Sequence, residues 1–324
     1  MDVQRILHRV DDFQQRRRGL AFPFAVVKKF GDDQAGYLAA LLAYYGFFSL
    51  FPLLLVFVSV VGLLASGNPD LQRSILDSAL KNFPVIGTDI AKNLGKTAGS
   101  GVALTIGIVG AVWAGLAVTQ AAQNAMNTIW DVPRKDRPNF LISRARGLIM
   151  LVVLGTITLA STFTSAFGAS EGRFVLTRLA GFAAGFVLNL LLFLLAYRVL
   201  TVMDLSWKDV LPGAVVAAVL WTVLQSVGGF YVTHQLQGAS NTYGTFAIVI
   251  GLLVWLYLGA QLTLYCAEIN VVRVQKLWPR SLVQPPLAEG DKEVMEGLAK
   301  QQQLRPEQEI DVTFEDDART ERGR

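Results

Sequence analysis

From Tyr37 onward the chain alternates between long apolar runs and short polar gaps, and charge retreats into those gaps as far as Val272. Six runs reach the length of a membrane-crossing helix, about 37–65, 102–129, 147–167, 179–201, 211–233 and 243–271. A bilayer core about 30 Å thick takes roughly 20 apolar residues per crossing. A soluble core has no use for repeated stretches of that length. The pattern therefore predicts an all-α, polytopic helical membrane protein with a six-span domain over residues 37–278. Pro52 lies inside the first run and predicts a kink there, which packed membrane helices tolerate.

The flanks read differently. In residues 1–36, Val3, Ile6, Leu7, Val10 and Phe13 recur at helical spacing among Arg5, Arg9 and the run Arg16-Arg17-Arg18. Such a basic amphipathic segment suits the inner membrane surface, drawn to anionic lipid, or else a solvated cytosolic helix. The connection 66–100 is mildly amphipathic around Leu71, Ile75, Ala79 and Leu80, with turn signals at Asn68-Pro69 and Phe83-Pro84. It predicts one or two short helices at the outer surface. Residues 279–324 are rich in Glu, Asp, Gln and Arg without an apolar period, which predicts a disordered cytoplasmic tail.

Charge then sets orientation. Charged residues make up 17% of the chain and hydrophobic ones 52%, where soluble domains carry about 25% charge. The cations cluster beside alternate gaps. Arg16, Arg17, Arg18, Lys28 and Lys29 precede span one, and Arg134, Lys135, Arg137, Arg144 and Arg146 follow span two. Arg198 and Lys208 separate spans four and five, and Arg273, Lys276 and Arg280 close span six. The other gaps hold Arg73, Lys81, Lys92 and Lys96 among acids, then Arg173 and Arg178, then none between His234 and Thr242. Both termini are therefore expected in the cytoplasm, in keeping with an even span count. The net charge of +4 is explained by insertion rather than by nucleic acid. A cleavable leader is not expected, because the first apolar run is too long and lacks a small-residue cleavage site.

Polar residues inside the runs are the candidate machinery. In span two, Gly107, Ala111 and Gly115 form a small-residue stripe for close helix approach. Gln120, Gln123, Asn124 and Asn127 form an amide stripe, roughly 170° from the first at about 100° per residue. The amides either glue helices together or line a hydrated cavity. In span six, Tyr257, Gln261, Tyr265 and Glu268 share one face. Glu268 and Arg198 are expected at similar depth, where an acid and a base pair, or else serve a proton- or ion-coupled role. Tyr44, Tyr45 and Ser49 lie in the inner half of span one and complete a cytoplasm-facing vestibule with the amides. Gly181 and Gly185 offer span four a close-packing site.

Some chemistry is excluded. The chain has no Gly-x-x-x-x-Gly-Lys-Ser/Thr loop, so an ATP-driven pump is not expected. Its histidines, His8 and His234, are far apart, and Cys266 is its only cysteine, so no disulfide, metal site or cofactor is expected. No catalytic motif appears, and the chain is not expected to be an enzyme.

Several of these residues resemble the YihY/BrkB family of bacterial membrane proteins over about residues 20–278. They are Ala43-Tyr44-Tyr45 through Ser49-Leu50-Phe51-Pro52-Leu53-Leu54, Asn127 with Trp130, Tyr243-Gly244-Thr245, and Ala267-Glu268-Ile269-Asn270. Cys266 stands where the resemblance implies glycine, which leaves close packing there open. The resemblance implies a multi-pass protein of the bacterial cytoplasmic (inner) membrane with no settled activity. Members often carry the label ribonuclease BN, but two isolated histidines and one cysteine cannot build a zinc nuclease centre. The leading expectation is a transporter of a lipid or other amphiphilic envelope molecule. Tyr44, Gln120, Gln123, Asn124, Asn127 and Gln261 would line its path, and Arg198 with Glu268 would fix its inner gate. The alternative is a non-transport membrane scaffold whose basic N-terminal helix and tail recruit partners. An intramembrane enzyme is a third reading, without a visible nucleophile–base pair. Membrane lipids are the expected partners, self-association is permitted by the small-residue stripe, and nucleic acid is not expected.

Overall fold

The computed structural model describes residues 3–64, 101–170, 175–231, 245–284 and 286–314. Among the described residues the regular structure is helical throughout: α1 (Val3–Arg16), α2 (Arg18–Asp32), α3 (Ala35–Leu64), α4 (Gly101–Ile129), α5 (Phe140–Ser170), α6 (Val175–Val199), α7 (Trp207–Tyr231), α8 (Thr245–Gln275) and α9 (Glu289–Gln301). A single 3₁₀ turn, Arg134–Asp136, follows α4. The helices expected within 66–100 lie outside the described residues.

Helices α3 to α8 are apolar around their whole circumference, as a lipid-embedded helix must be. Five contain stretches long and apolar enough to cross a membrane: Ala35–Val56, Leu104–Ile129, Phe140–Ile157, Trp207–Gln225 and Val249–Gln275. The remaining one, α6, is 25 residues long, and its described apolar part is Ala183–Val199. Helix α5 starts at Phe140, earlier than the apolar run alone suggests. Arg144 and Arg146 sit within its first turns, and arginine is a good helix former, so a charged gap in the hydropathy is not a break in the helix.

Successive helices from α3 to α8 pack side by side, and α8 closes the circuit by packing on α3. The N-terminal helices, the α4–α5 and α6–α7 connections and the segment after α8 are tied together by hydrogen bonds at one end of this ring. Asn127 Oδ1 accepts from the Val202 amide at 3.0 Å, and Lys29 donates to the Ile129 carbonyl at 3.3 Å. Lys28 donates to the Ser281 carbonyl at 2.6 Å. Both ends of the ring's chain thus return to one side.

The buried core is concentrated at this terminal end. It comprises Ala121, Ala125, Met126 and Ile129 of α4, Phe193, Ala196 and Tyr197 of α6, Val210, Ala214, Ala217 and Ala218 of α7, and Leu264, Cys266, Ala267, Val271 and Val272 of α8. By contrast, no described side chain is buried over 151–157, 183–192, 219–225 or 246–258. Towards the far end a Cβ on Gly259 of α8 would lie 2.9 Å from the Trp221 ring of α7, and the α3–α4 pair stays close. There a methyl group on Gly110 would lie 3.1 Å from Pro52, and one on Gly107 would lie 3.2 Å from Val56.

Three packing expectations are corrected. Gly107 faces α3 but Gly115 meets Leu151 of α5, so the small-residue stripe serves two neighbours, its members being too far apart around the helix to share one. Gly185 faces open space and is no packing contact. The close approach near Cys266 is secured from the opposite helix, by Gly213, whose amide donates to Asn270 Oδ1 at 2.7 Å. A Cβ at Gly213 would lie 2.1 Å from the Cys266 carbonyl oxygen. Because backbone cannot swing aside, Gly213→Ala is expected to cost about 1–3 kcal/mol or more. Gly185→Ala should leave stability unchanged or slightly raised, and thermal unfolding of the two variants in detergent checks both.

Candidate functional site

The terminal end of the ring carries a dense buried network of charge. Lys29, on the face of α2 that packs on α8, is wholly buried. Its ammonium donates to Asp33 Oδ1 and Oδ2 at 2.7 and 2.6 Å, and lies 3.2 Å from Asp131 Oδ2. Asp33 follows α2, and Asp131 follows α4 in a left-handed conformation, φ 53°, that aspartate tolerates. Gln301 of α9 donates to Asp131 Oδ1 and to the Thr128 carbonyl, both at 2.7 Å. Burial pushes the Lys29 ammonium down, but the carboxyls of Asp33, Glu268 and Asp131 outweigh it and hold it above its ordinary value. Burial pushes the Asp33 carboxyl up to about 7, against the pull of Lys29.

Glu268 completes the cluster from α8. It is fully buried and within hydrogen-bonding reach of Asp33. Neither of its oxygens receives a hydrogen bond from a nitrogen or hydroxyl donor. The expected partner, Arg198, lies elsewhere: its guanidinium stacks 4.3 Å over the Trp207 ring. Glu268 turns to α2 instead, whose lysine reaches the bundle interior. A reading that laid the N-terminal segment flat on the membrane could not supply that cation. The missed signal was the spacing in Lys28-Lys29-Phe30-Gly31-Asp32-Asp33, where each lysine precedes an aspartate by four residues.

Beside this cluster, residues after 279 form a clasp. The expectation of a disordered tail is corrected for the described part of it, because α9 and residues 280–283 are fastened to the N-terminal helices. Asp291 accepts from Lys28 Nζ at 2.8 Å, Arg280 Nε at 2.6 Å and the Ser281 amide at 2.8 Å. Arg280, itself buried, also reaches Asp32 at 2.7 Å. Asp11 of α1 accepts from the Leu282 and Val283 amides at 3.0 and 3.1 Å. Composition missed this order because polar bonds, rather than apolar area, hold it. Burial pushes Asp291 up, but the bonds from Lys28, Ser281 and Arg280 outweigh it and hold the carboxyl well below the usual range. Asp11 is also held low, its hydrogen bonds from Leu282, Gln15, Gln14 and Val283 outweighing burial.

The amides expected to line a path divide into two groups. Gln123 and Asn127 are buried braces: Gln123 donates to the Ser143 carbonyl at 3.0 Å and accepts from its hydroxyl at 2.9 Å, while Asn127 holds Val202. Gln120, half-buried, donates to Ser143 Oγ at 2.8 Å, and exposed Asn124 accepts from Arg137 at 2.9 Å. Gln261 donates to the Tyr257 hydroxyl at 3.0 Å, and Tyr44 is exposed beside Tyr45 and Phe48. A shallow, solvent-open hollow of about 260 Å³ lies near the charged cluster, lined in part by Asp131, Glu293, Glu296 and Lys300. Among the described residues no group of three or more His, Cys, Asp or Glu side chains is arranged to hold a metal ion.

A family model described as Virulence factor BrkB matches residues 26–288. The inner membrane protein YhjD of Escherichia coli (strain K12) is 24% identical over 276 residues, 78% of this chain and 81% of YhjD. YfkH of Bacillus subtilis (strain 168), whose name carries the words ribonuclease-like, is 26% identical over 246 residues, 72% of this chain and 88% of YfkH. The UPF0761 membrane protein Smlt0865 of Stenotrophomonas maltophilia (strain K279a) is 30% identical over 260 residues, 76% of this chain and 59% of that protein. No solved structure matches.

Asp291→Ala would leave buried Arg280 with Asp32 as its remaining carboxylate partner, so the loss is expected to stay below the about 3–5 kcal/mol of a wholly unpaired buried charge. Limited trypsin digestion should then release the segment after residue 280 while the ring stays intact. The opposed carboxyl shifts also set a pH window. Asp33 binds its proton more tightly folded than unfolded, so its stabilisation is complete below its ordinary 3.8 and is lost as pH rises through about 7. Asp11 and Asp291 contribute above 3.8, and their contribution declines as pH falls below it. Unfolding midpoints in detergent should therefore be highest near pH 3.8 and fall on both sides of it, towards 7 and towards lower pH.

Proposed function

Because this chain belongs to the Virulence factor BrkB family of membrane proteins, we propose that it works in the bacterial cytoplasmic membrane as a transporter of a lipid or similar amphiphile. The observation that carries this reading is the asymmetry of the helix ring: the terminal end is packed and braced, whereas the far halves of α5 to α8 bury no described side chain. A ring closed at one end and loose at the other has the form of one state of an alternating-access carrier. The loose stretches 151–157, 183–192, 219–225 and 246–258 contain no Asp, Glu, Lys or Arg. Such walls offer nothing to a small hydrophilic ion and suit a substrate with acyl tails. Loose helix pairs also allow that substrate to move in sideways from the bilayer.

The orientation proposed places the terminal end in the cytoplasm, following the clustered lysines and arginines at that end. YhjD is itself named an inner membrane protein. Tyr44, Gln120, Asn124 and Gln261 are the proposed polar points along the path, with Gln123 and Asn127 holding the helices that carry them. The Lys29–Asp33–Asp131–Glu268 cluster takes the place once assigned to an Arg198–Glu268 gate. A scaffold loses its chief support, because residues 286–314 include a helix fastened to the bundle rather than a free recruiting arm.

The test is movement of fluorescent phospholipids between leaflets of proteoliposomes containing the intact protein. The protein should accelerate movement over empty vesicles. A folded Asn124→Leu/Gln261→Leu variant should slow it by about tenfold, as expected for the loss of one or two polar contacts. No acceleration with any of several envelope lipids would overturn the reading.

A further inference from the structure

Glu268 is the one described buried carboxyl whose two oxygens both lack a nitrogen or hydroxyl donor. It faces Asp33 within hydrogen-bonding reach, and each side chain is excluded from solvent. Two ionised carboxylates cannot share a dry contact without strong repulsion, whereas a carboxylic acid donating to a carboxylate satisfies both. The surrounding charge agrees. The ionisable groups facing the pair are Lys29 from α2 and Asp131 after α4, so three acids meet one base. Helix α7 presents Gly213 to the neighbouring Asn270. One ammonium cannot neutralise three carboxylates in a buried site, and one retained proton leaves the cluster with a single net negative charge.

We propose that Asp33 and Glu268 form a proton-binding site that latches the terminal end of the ring, so that loss of the shared proton drives α2 away from α8 and opens that end. This rests on the transport reading for its purpose, but not for its chemistry. The proton leaves to water by way of Asp131, whose side chain is 11% exposed and lines the solvent-open hollow. What remains is a carboxylate on α8 facing a carboxylate at the C-cap of α2, with Lys29 between Asp33 and Asp131. Opening at this end would separate the packed residues Phe30 and Tyr265, whose rings stack 3.7 Å apart between α2 and α8.

The chain carries its own reporter: Cys266, its only cysteine, is buried two residues before Glu268. Maleimide labelling of Cys266 in the full-length protein, in proteoliposomes, should accelerate with pH in the wild type. With Glu268→Gln, which mimics the loaded acid, only the intrinsic thiol response should remain. The two proteins compared at each pH should therefore diverge by up to about tenfold per pH unit, the slope of one linked proton. Infrared difference spectra between low and high pH should show a protonated-carboxyl band that Glu268→Gln removes. If Glu268→Gln fails to fold, Asp33→Asn serves the same comparison. Identical labelling profiles and an unchanged carboxyl band would overturn the proposal. Labelling that responds to pH without lipid movement would keep the proton site and sink the transport reading. Lipid movement without any Glu268-dependent pH response would do the reverse.

Discussion

The terminal end of this molecule depends on one buried ammonium. Lys29 lies among Asp33, Asp131 and Glu268, which come from the C-cap of its own helix α2, the turn after α4 and the last turns of α8. Taking a lysine out of water is costly, and the cost is met here only because its partners are in place. Helices α4 and α8 are thereby fixed relative to one another and to α2. Gln301 extends the same bond set to α9, and Asn127 extends it to the α6–α7 connection. The apolar core lies in this half because these are the helix segments that the charged network draws together.

The braces and the loose far half are complementary. Inside a bilayer apolar side chains gain little by meeting one another, since lipid tails are as apolar as leucine. Helices there stay together where backbones approach closely or polar groups bond across them. At the terminal end Gly213 under Asn270 and Gln123 on Ser143 do both. In the far half α3 and α4 have such a device at Gly107 and Gly110, and α8 meets α7 closely at Gly259 and Trp221. The absence of charge from the other far stretches thus leaves them with little to hold them in one arrangement.

The helices were readable from hydropathy, because a bilayer demands about 20 apolar residues per crossing wherever the protein goes. Their ends were less readable: Arg144 and Arg146 belong to the first turns of α5, and charge in a helix's opening turns looks like a loop. The amide stripe of α4 was visible, but its role was not, since glue and cavity lining use the same residues. Glu268 was legible as a residue and not as a pair. The partner of a buried acid depends on which helix reaches it, and nothing local to α8 says that α2 does. The clasp around Asp291 was the least legible. Its order comes from hydrogen bonds between residues as distant as Asp11 and Leu282, which no local pattern encodes.

These features make the terminal end the place where a change in state is least gradual. The Lys28, Asp32, Arg280 and Asp291 bonds form a charged lattice beside the Lys29 cluster, and adjacent residues of α2, Lys28 and Lys29, belong one to each. Moving α2 away from α8 therefore strains both networks together. A single shared proton acts at the junction where the most bonds would have to part. The transport cycle proposed above needs a closed end that is stable and yet releasable by a small input. A buried cluster with one base among three acids meets both needs: it is held firmly while the proton is present and repels itself once the proton is gone.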